Sequence, residues 1–283
     1  MNNPSFPWAG QVVCMSQSGN MIIVIEDLYK RLKGRGVFRG VNLTVERGET
    51  RVIVGGSGVG KSVLLKHITG LMHPDRGRII IEDIELDLHK PATVLQVRER
   101  IGMVFQNAAL FDSLNVRDNV GFALINRRKM SEKEVDMVVA EKLALVNLDN
   151  IQKVMPAELS GGMRKRVAIA RALANNPTII LFDEPTTGLD PLSAETINDL
   201  IVDLKHKLHR TQLVVTHDIH SSCRIADSIS MLRDGKIVAT GTVAEMMQSR
   251  EDYIHRFMTV SMTHCVGMGQ EQSRQIPGSG SRQ

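Results

Sequence analysis

The sequence predicts an α/β fold whose central sheet is largely parallel. Three short runs at 50–54, 178–182 and 211–216 are rich in β-branched and other apolar residues, as is typical of strands buried on both faces of a sheet. Segments with the apolar spacing of amphipathic helices lie between these runs, and the first run leads directly into a Gly-rich loop.

Further strands are predicted at 21–28, 41–49, 77–83 and 100–106. The segment 41–49 alternates apolar and polar residues, which indicates a half-buried strand, and turns at Arg47–Gly48. We therefore expect an additional β element beside the parallel core.

A change of character from about 107 to 175 indicates a helical insertion. Ser131 is suited to cap a helix there, because acidic residues follow it in the first turn. A second helix of the insertion is expected to begin at about Gly161. Beyond the insertion, the sequence predicts a long amphipathic helix at about 191–208 and a hairpin that turns at Asp234–Gly235.

The 283 residues have an ordinary globular composition and a net charge of +4, which fits an anionic partner such as a nucleotide, a membrane surface or nucleic acid. The odd number of cysteines without metal-ligand spacing indicates free thiols in a reducing compartment. No run approaches the ~18 apolar residues of a membrane-spanning helix. Residues 1–20 are expected to be a flexible extension, and 246–283 a C-terminal helix at 251–258 followed by a disordered tail.

The most specific motif is GGSGVGKS at 55–62, which matches G-x-x-x-x-G-K-[ST] between a predicted strand and a predicted helix. Glycine allows backbone N–H groups to turn toward phosphate oxygens, and the helix N-terminus adds its positive dipole end. Lys61 is expected to neutralise the β- and γ-phosphates, and Ser62 to bind Mg²⁺. The motif predicts a P-loop NTPase that binds nucleotide through Gly55, Gly56, Ser57, Gly58, Val59, Gly60, Lys61, Ser62 and Val63.

Two acidic residues end the predicted strand IILFD: Asp183 is its last residue and Glu184 follows. An acid at the carboxyl end of a parallel strand points toward the crevice where α/β proteins bind ligands. Asp183 is therefore a candidate Mg²⁺ ligand, and Glu184 a candidate for polarising the attacking water in phosphoryl transfer.

Three further polar residues, Gln106, Ser160 and His217, are candidates for the same site. Gln106 ends a predicted strand, His217 follows another, and Ser160 is the second residue of the string LSGGMRKR at 159–166, where it is suited to cap the helix expected from about Gly161. Taken singly, the Gln and the His are more often ordinary polar positions. The basic residues of the string either add positive field toward a nucleotide or form a solvated helix face.

The combined order of these motifs resembles that of the ATP-binding-cassette (ABC) ATPases over about 22–245. The resemblance implies a RecA-like core with an antiparallel β subdomain and an inserted α-helical signature subdomain, at about 107–175 of an ATPase domain spanning 21–245. LSGG is similar to the family's signature, and TTGLDP at 186–191 to its D-loop, which contains Asp190.

The resemblance also implies that two subunits enclose two ATP molecules. Ser160, Gly161 and Gly162 then contact the γ-phosphate held by Lys61 of the other subunit. His217 contacts the γ-phosphate of its own subunit, and Gln106 touches the Mg²⁺ and water region. The implied catalytic residues are Glu184, His217 and Gln106, the implied Mg²⁺ ligands are Ser62, Gln106 and Asp183, and Asp190 joins the nucleotide-binding set.

One departure from the family pattern concerns the adenine base. Most members stack adenine on an aromatic residue shortly after the first strand, but alignment with the pattern puts Leu32 at that position. Tyr29 lies three residues too early. We therefore do not expect the usual adenine stacking.

Three strings, at 104–122, 155–173 and the Met after LSGG, resemble one subgroup, the ATPases that work with MCE-domain proteins in Mla-type phospholipid transport, organic-solvent resistance and chloroplast lipid import. The resemblance implies a homodimer bound to integral-membrane permease subunits and an MCE-type lipid-binding protein, at the cytoplasmic face of the inner membrane. The segment 107–122 is where such ATPases receive the permease, and its apolar residues form either a docking groove or core.

The remaining function classes are a transport ATPase for a small solute such as an amino acid, a non-transport ABC ATPase of DNA repair or translation, and a regulator without hydrolysis. Non-transport members carry coiled-coil or zinc insertions or tandem cassettes, which this chain lacks, so no nucleic-acid partner is expected. A regulator would be expected to lack Glu184 or His217, and both are present.

Overall fold

The structure is a computed structural model that describes residues 20–127 and 130–259. The predicted extension, apart from Asn20, and the predicted tail beyond 259 lie outside the described residues. The strands are β1 (Met21–Leu32), β2 (Arg35–Glu46), β3 (Thr50–Val54), β4 (Arg76–Ile81), β5 (Ile84–Glu85), β6 (Ile101–Val104), β7 (Ile179–Asp183), β8 (Thr211–Thr216), β9 (Ser228–Arg233) and β10 (Lys236–Gly241).

The helices are α1 (Lys61–Ile68), α2 (Pro91–Arg100), α3 (Val116–Arg127), α4 (Glu132–Leu145), α5 (Gly161–Leu173), α6 (Pro191–Leu208), α7 (Ile219–Ile225) and α8 (Val243–Met247), followed by a helical segment at 252–259.

Two sheets organise the described residues. The smaller sheet is antiparallel, in the order β2-β1-β4-β5, and the larger has the order β10-β9-β3-β8-β7-β6. In the larger sheet, β6, β7, β8, β3 and β9 pair in parallel, and β10 joins β9 by the antiparallel hairpin predicted at Asp234–Gly235. The α/β architecture with a largely parallel central sheet is thereby confirmed.

The larger sheet is buried on both faces. Every residue of β3, β7 and β8 is buried, which explains why their sequences do not alternate. Ile53 and its counterparts on neighbouring strands pack with α1 and the smaller sheet in one core, while Val52 and Val54 pack with the helices in a second core. The carboxyl ends of these strands therefore meet at one firmly held edge.

Helices α3, α4 and α5 occupy the segment between β6 and β7 and pack on one another through the second core. Helix α4 begins as predicted: Ser131 accepts from the Glu134 N–H, and the Glu134 carboxylate accepts from the Ser131 N–H, a capping box. No helix of the described segments is long and apolar enough to cross a membrane.

Several strand boundaries differ from the sequence expectation; β2, for example, spans Arg35–Glu46 rather than 41–49. Strand β1 runs to Leu32 rather than ending at 28, because it pairs with β2 on one side and β4 on the other. Strand β6 ends at Val104 rather than at 106, because the chain turns at once and places Ala108 and Ala109 at φ of 59° and 49°.

The helical segment at 252–259 packs on its own chain. Ile254 and Met258 are buried in the second core, and the Arg233 guanidinium lies 3.7 Å from the centre of the Tyr253 ring. The sequence left open whether this segment contacts its own domain or a partner, and the structure shows the former contact.

Candidate active site

The phosphate loop at 55–62 joins β3 to α1 and is closely packed on both sides. A Cβ on Gly55 would overlap the carbonyl oxygen of Leu232 in β9. Gly60 has a φ of 110°, and a Cβ there would lie 2.8 Å from Val37 of β2. The loop therefore requires glycine at these two points to hold its N–H groups at the start of α1.

Lys61 is buried at this loop, with 7% of its side chain exposed. Its Nζ donates to the carbonyl oxygens of Gly55 at 2.9 Å and Gly56 at 3.1 Å. The same ammonium lies 3.5 Å from Glu184 Oε1. The first helical residue of the motif is thus joined to the acid at the end of β7.

Asp183, the last residue of β7, accepts a 2.8 Å hydrogen bond from the Ser62 hydroxyl. Burial raises the pKa of Asp183 above its ordinary value; the Ser62 hydrogen bond opposes the rise and the nearby Glu184 charge adds to it. The pair offers hydroxyl and carboxylate oxygens side by side, the donor type that Mg²⁺ prefers, so the residues fit this ion.

The Glu184 carboxylate is held by three donors on one oxygen. Oε2 lies 2.9 Å from His217 Nδ1, which is the donor because an ionised carboxylate only accepts, and 3.2 and 3.1 Å from the Thr216 and Thr187 hydroxyls. Burial alone raises the pKa of Glu184, but the hydrogen bond and charge of His217 together with Lys61 outweigh it, so the pKa lies below its ordinary value. The carboxylate is therefore ionised at neutral pH.

The Glu184 backbone has a φ of 48°, an uncommon value for a residue with a side chain. Its N–H donates to the Val215 carbonyl at 2.9 Å, which ties it to β8. The direction of this carboxylate is thus set by the backbone as well as by the side-chain partners.

Gln106 lies two residues past β6, in the loop that follows it, and its side chain is exposed. The backbone carbonyl oxygen of Gln106 accepts a 2.6 Å hydrogen bond from Lys165 Nζ of α5. The next residues of this loop are also fastened to α5, because Arg171 donates to the carbonyl oxygens of Ala109 at 2.6 Å and Ala108 at 2.8 Å. Since β6 neighbours β7, Gln106 stands at the same sheet edge as Asp183.

The LSGG string is placed at the start of α5. Ser160 caps the helix, accepting from the Met163 N–H at 3.2 Å, as predicted. A Cβ on Gly161 would lie 3.3 Å from Leu189, and one on Gly162 would lie 3.2 Å from the Ser193 hydroxyl. The helix start therefore packs on the segment just before and within α6.

Asp190 belongs to that same segment. It is exposed and caps α6, its carboxylate accepting a 2.9 Å hydrogen bond from the Ser193 N–H. Among the hydrogen bonds of the described residues, none joins Ser160, Gly161 or Asp190 to the phosphate loop.

The predicted residues thus fall into two groups within one chain. The first contains the phosphate loop with Gln106, Asp183, Glu184 and His217, and the second contains Ser160, Gly161, Gly162 and Asp190.

At the position where most family members stack adenine on an aromatic residue, the structure has Leu32. Leu32 ends β1 and is half-buried, with no aromatic side chain. Tyr29 is engaged elsewhere, because the Arg76 guanidinium lies 5.4 Å from its ring centre. Phe38, whose ring would lie 3.0 Å from a Cβ on Gly60, is fully buried in the core.

Sequence reasoning missed two of the three donors that hold the Glu184 carboxylate, Thr187 and Thr216. Thr216 belongs to no motif and reaches Glu184 only because β8 pairs with β7, while Thr187 lies in the TTGLDP string but was given no role there. Lys165 was one of three basic residues treated as a group, yet it is buried, with 5% of its surface exposed, whereas Arg164 is exposed. The solvated-face alternative does not describe Lys165, because its ammonium is buried and bonded to two backbone carbonyls.

The chain matches the family model described as ABC transporter over residues 38–187. Several curated proteins are similar along most of its length. It is 38% identical over 250 residues to the "Probable ribonucleotide transport ATP-binding protein mkl" of Mycobacterium tuberculosis, covering 88% of this chain and 70% of that protein. It is 38% identical over 272 residues to "Protein TRIGALACTOSYLDIACYLGLYCEROL 3, chloroplastic" of Arabidopsis thaliana, covering 88% and 76%. It is 37% identical over 237 residues to the "Intermembrane phospholipid transport system ATP-binding protein MlaF" of Haemophilus influenzae, covering 84% and 90%.

Solved structures give the same result. cbiO1 of Clostridium perfringens, described as part of the ABC transporter complex cbiONQ, has a TM-score of 0.75 at 30% identity over 88% of this chain and 99% of that chain. The ATP-binding cassette MJ0796, solved as a dimer bound to ADP and Pi, has a TM-score of 0.71 at 34% identity over 78% and 98%. The chain therefore belongs to the ABC transporter family, as an ATP-binding ATPase subunit.

Proposed function

We propose that this ATPase powers the movement of phospholipid through a separate membrane transporter. The main support for phospholipid as the transported substrate is the 37% identity to the H. influenzae MlaF over 84% of this chain. The name of that relative refers to phospholipid transport. The name of the Arabidopsis relative also refers to a glycerolipid. The subgroup resemblance of the signature region points to the same cargo.

The chemistry we propose begins at the phosphate loop. Its N–H groups and Lys61 hold the ATP phosphates, with residues 55–63 around them. Ser62, Asp183 and Gln106 hold Mg²⁺, whose charge offsets that of the phosphates when it is bound. The ionised Glu184 accepts a proton from the attacking water, and His217 both orients Glu184 and contacts the γ-phosphate.

The second group of residues acts, in this proposal, on the other subunit of a homodimer. The start of α5 has Ser160 as its cap and packs on its own 189–193 segment, and the first N–H groups of a helix have no partner within the helix and are available to a phosphate. Ser160, Gly161, Gly162 and Asp190 then complete the partner's nucleotide site. The dimer in which MJ0796 was solved supports this arrangement.

The domain organisation follows from these roles. We propose that 21–245 is the ATPase domain, with 107–175 as its helical subdomain. Phe111 and Phe122 in this subdomain are 44% and 39% exposed, and their ring centres lie 4.6 Å apart, an apolar surface suited to a permease. We place the chain at the cytoplasmic face of the inner membrane, with permease subunits and an MCE-type lipid-binding protein.

Purification of the tagged chain from native membranes tests the cargo. We expect permease subunits and an MCE-domain protein to copurify, with bound phospholipid detected by mass spectrometry. The mkl relative is named for ribonucleotide transport, which makes a soluble substrate the second candidate. Copurification of a solute-binding protein with an amino-acid-type or nucleotide-type permease would overturn the lipid proposal.

The catalytic roles are tested separately. Lys61→Ala should abolish tight ATP binding, because the loop loses its only side-chain cation. Glu184→Gln should bind ATP, turn over very slowly and accumulate as an ATP-bound dimer. Wild-type affinity in the first variant, or wild-type turnover in the second, would refute the role given to that residue.

A further inference from the structure

Lys165 is a buried cation whose charge meets two backbone carbonyls from different parts of the site. Its Nζ donates to the Gln106 oxygen at 2.6 Å and to the Glu184 oxygen at 3.2 Å. Burial lowers the pKa of Lys165, and the negative charges of Asp183 and Glu184 oppose that shift. A buried ammonium is costly unless it is well bonded, so these two contacts account for its tolerance in the core.

One of the two carbonyls bonded by Lys165 belongs to Glu184, whose backbone conformation is unfavourable. At a φ of 48° the residue is in the left-handed region, which is unfavourable for a side chain with a Cβ. Its carbonyl oxygen accepts from Lys165 and, at 3.3 Å, from the Thr187 N–H. The Lys165 bond is the charge-assisted one, and it fixes the peptide that follows the carboxylate.

Helix α5 therefore has two separate connections to nucleotide chemistry. Its N-terminus holds Ser160, which we assign to the partner's site, and Lys165 lies five residues further, about 7.5 Å along the helix axis. Because the ammonium turns inward to Gln106 and Glu184, its contacts belong to the site of its own chain.

We propose that Lys165 is a positioning residue that holds Glu184 of its own subunit in the conformation needed for hydrolysis. This inference rests on the role given to Glu184 in the proposed function. Lys165 acts through the two backbone carbonyls and holds the loop that contains Gln106 against the end of β7.

The first test measures steady-state ATP hydrolysis by Lys165→Met, which keeps the apolar stem and removes the ammonium. We expect kcat to fall by about 10-fold or more while KM for ATP changes by less than about 3-fold, because misplacing a reacting group affects the chemical step more than binding. Lys142→Met is the matched control: Lys142 is also buried, in α4, and pairs with Glu141 rather than with the site. Its kcat should remain close to wild type.

The second test separates an effect on Glu184 from an effect on Ser160. If Lys165 positions Glu184, Lys165→Met should bind ATP and accumulate as a dimer on gel filtration, as Glu184→Gln does. If Lys165 instead serves to place the start of α5, the variant should remain monomeric with ATP, as Ser160→Arg should. Lys165→Gln, which keeps a shorter donor, is measured in parallel in case the Met variant does not fold.

A monomeric Lys165→Met with ATP, a wild-type kcat, or a loss equal to that of Lys142→Met would overturn the inference. Failure of the proposed function gives a different result: Glu184→Gln itself would then hydrolyse ATP at the wild-type rate or fail to accumulate as a dimer. The two outcomes are therefore distinguishable on the same set of proteins.

Discussion

Replacing Ile254 with alanine tests how firmly the segment at 252–259 belongs to its own domain. Ile254 is 2% exposed and Met258 fully buried, both within the core that contains α3 to α6. Truncation of Ile254 removes buried methyl and methylene groups and leaves a cavity that the surrounding core fills only in part.

The expected loss is about 2–5 kcal/mol of unfolding free energy, the range for Ile→Ala in a well-packed core. For a domain of this size, ~1 kcal/mol corresponds to a change in Tm of about 2–4 °C. Ile254→Ala should therefore lower Tm by about 4–20 °C.

The assay is thermal unfolding followed by circular dichroism. The matched control is Arg256→Ala on the same segment, whose side chain is 72% exposed and lies 3.7 Å from Asp252, so it should change Tm little. Equal Tm values for Ile254→Ala and Arg256→Ala would refute the docking of this segment on the core.

Two further predictions concern the nucleotide site. Thr187→Val removes one hydrogen-bond donor to the Glu184 carboxylate, so the pKa of Glu184 should rise. The acid limb of the pH–kcat profile should therefore move to higher pH. An unchanged acid limb would contradict the role given to the hydrogen bond from Thr187 to Glu184. Gly55→Ala should weaken binding of a fluorescent ATP analogue by about 10-fold or more, because the added Cβ overlaps the Leu232 carbonyl and displaces the phosphate loop. Gly36→Ala, whose Cβ meets only ordinary contact, should bind normally, and equal affinities would argue against the steric explanation.

The elements with local signals were predicted closely. Helix α6 has the predicted bounds, since Asp190 caps it and Pro191 is suited to its first turn. Helix α5 begins at Gly161, as predicted, with Ser160 as its cap. Each of these boundaries is determined by residues within one turn of it.

Other features depended on contacts between distant segments. Phe105 continued an apolar run and extended the predicted strand to Gln106, but the chain turns after Val104. Ala108 and Ala109 then adopt left-handed conformations, which the identity of an alanine does not indicate. At the site, the motif residues were recognised because their types recur at fixed spacing. Lys165 was not, because a basic residue on a helix becomes a buried donor only through tertiary packing.

The bonds from Arg171 to Ala108 and Ala109 have a mechanical consequence. Each alanine in the left-handed region costs about 1–2 kcal/mol, and the guanidinium of Arg171 offsets that cost through two carbonyls. The loop after β6 therefore depends on α5 to stabilise its left-handed turn. Without the Arg171 bonds the two left-handed alanines would lose their charge-assisted support, whereas the backbone pairing of β6 with β7 does not depend on them.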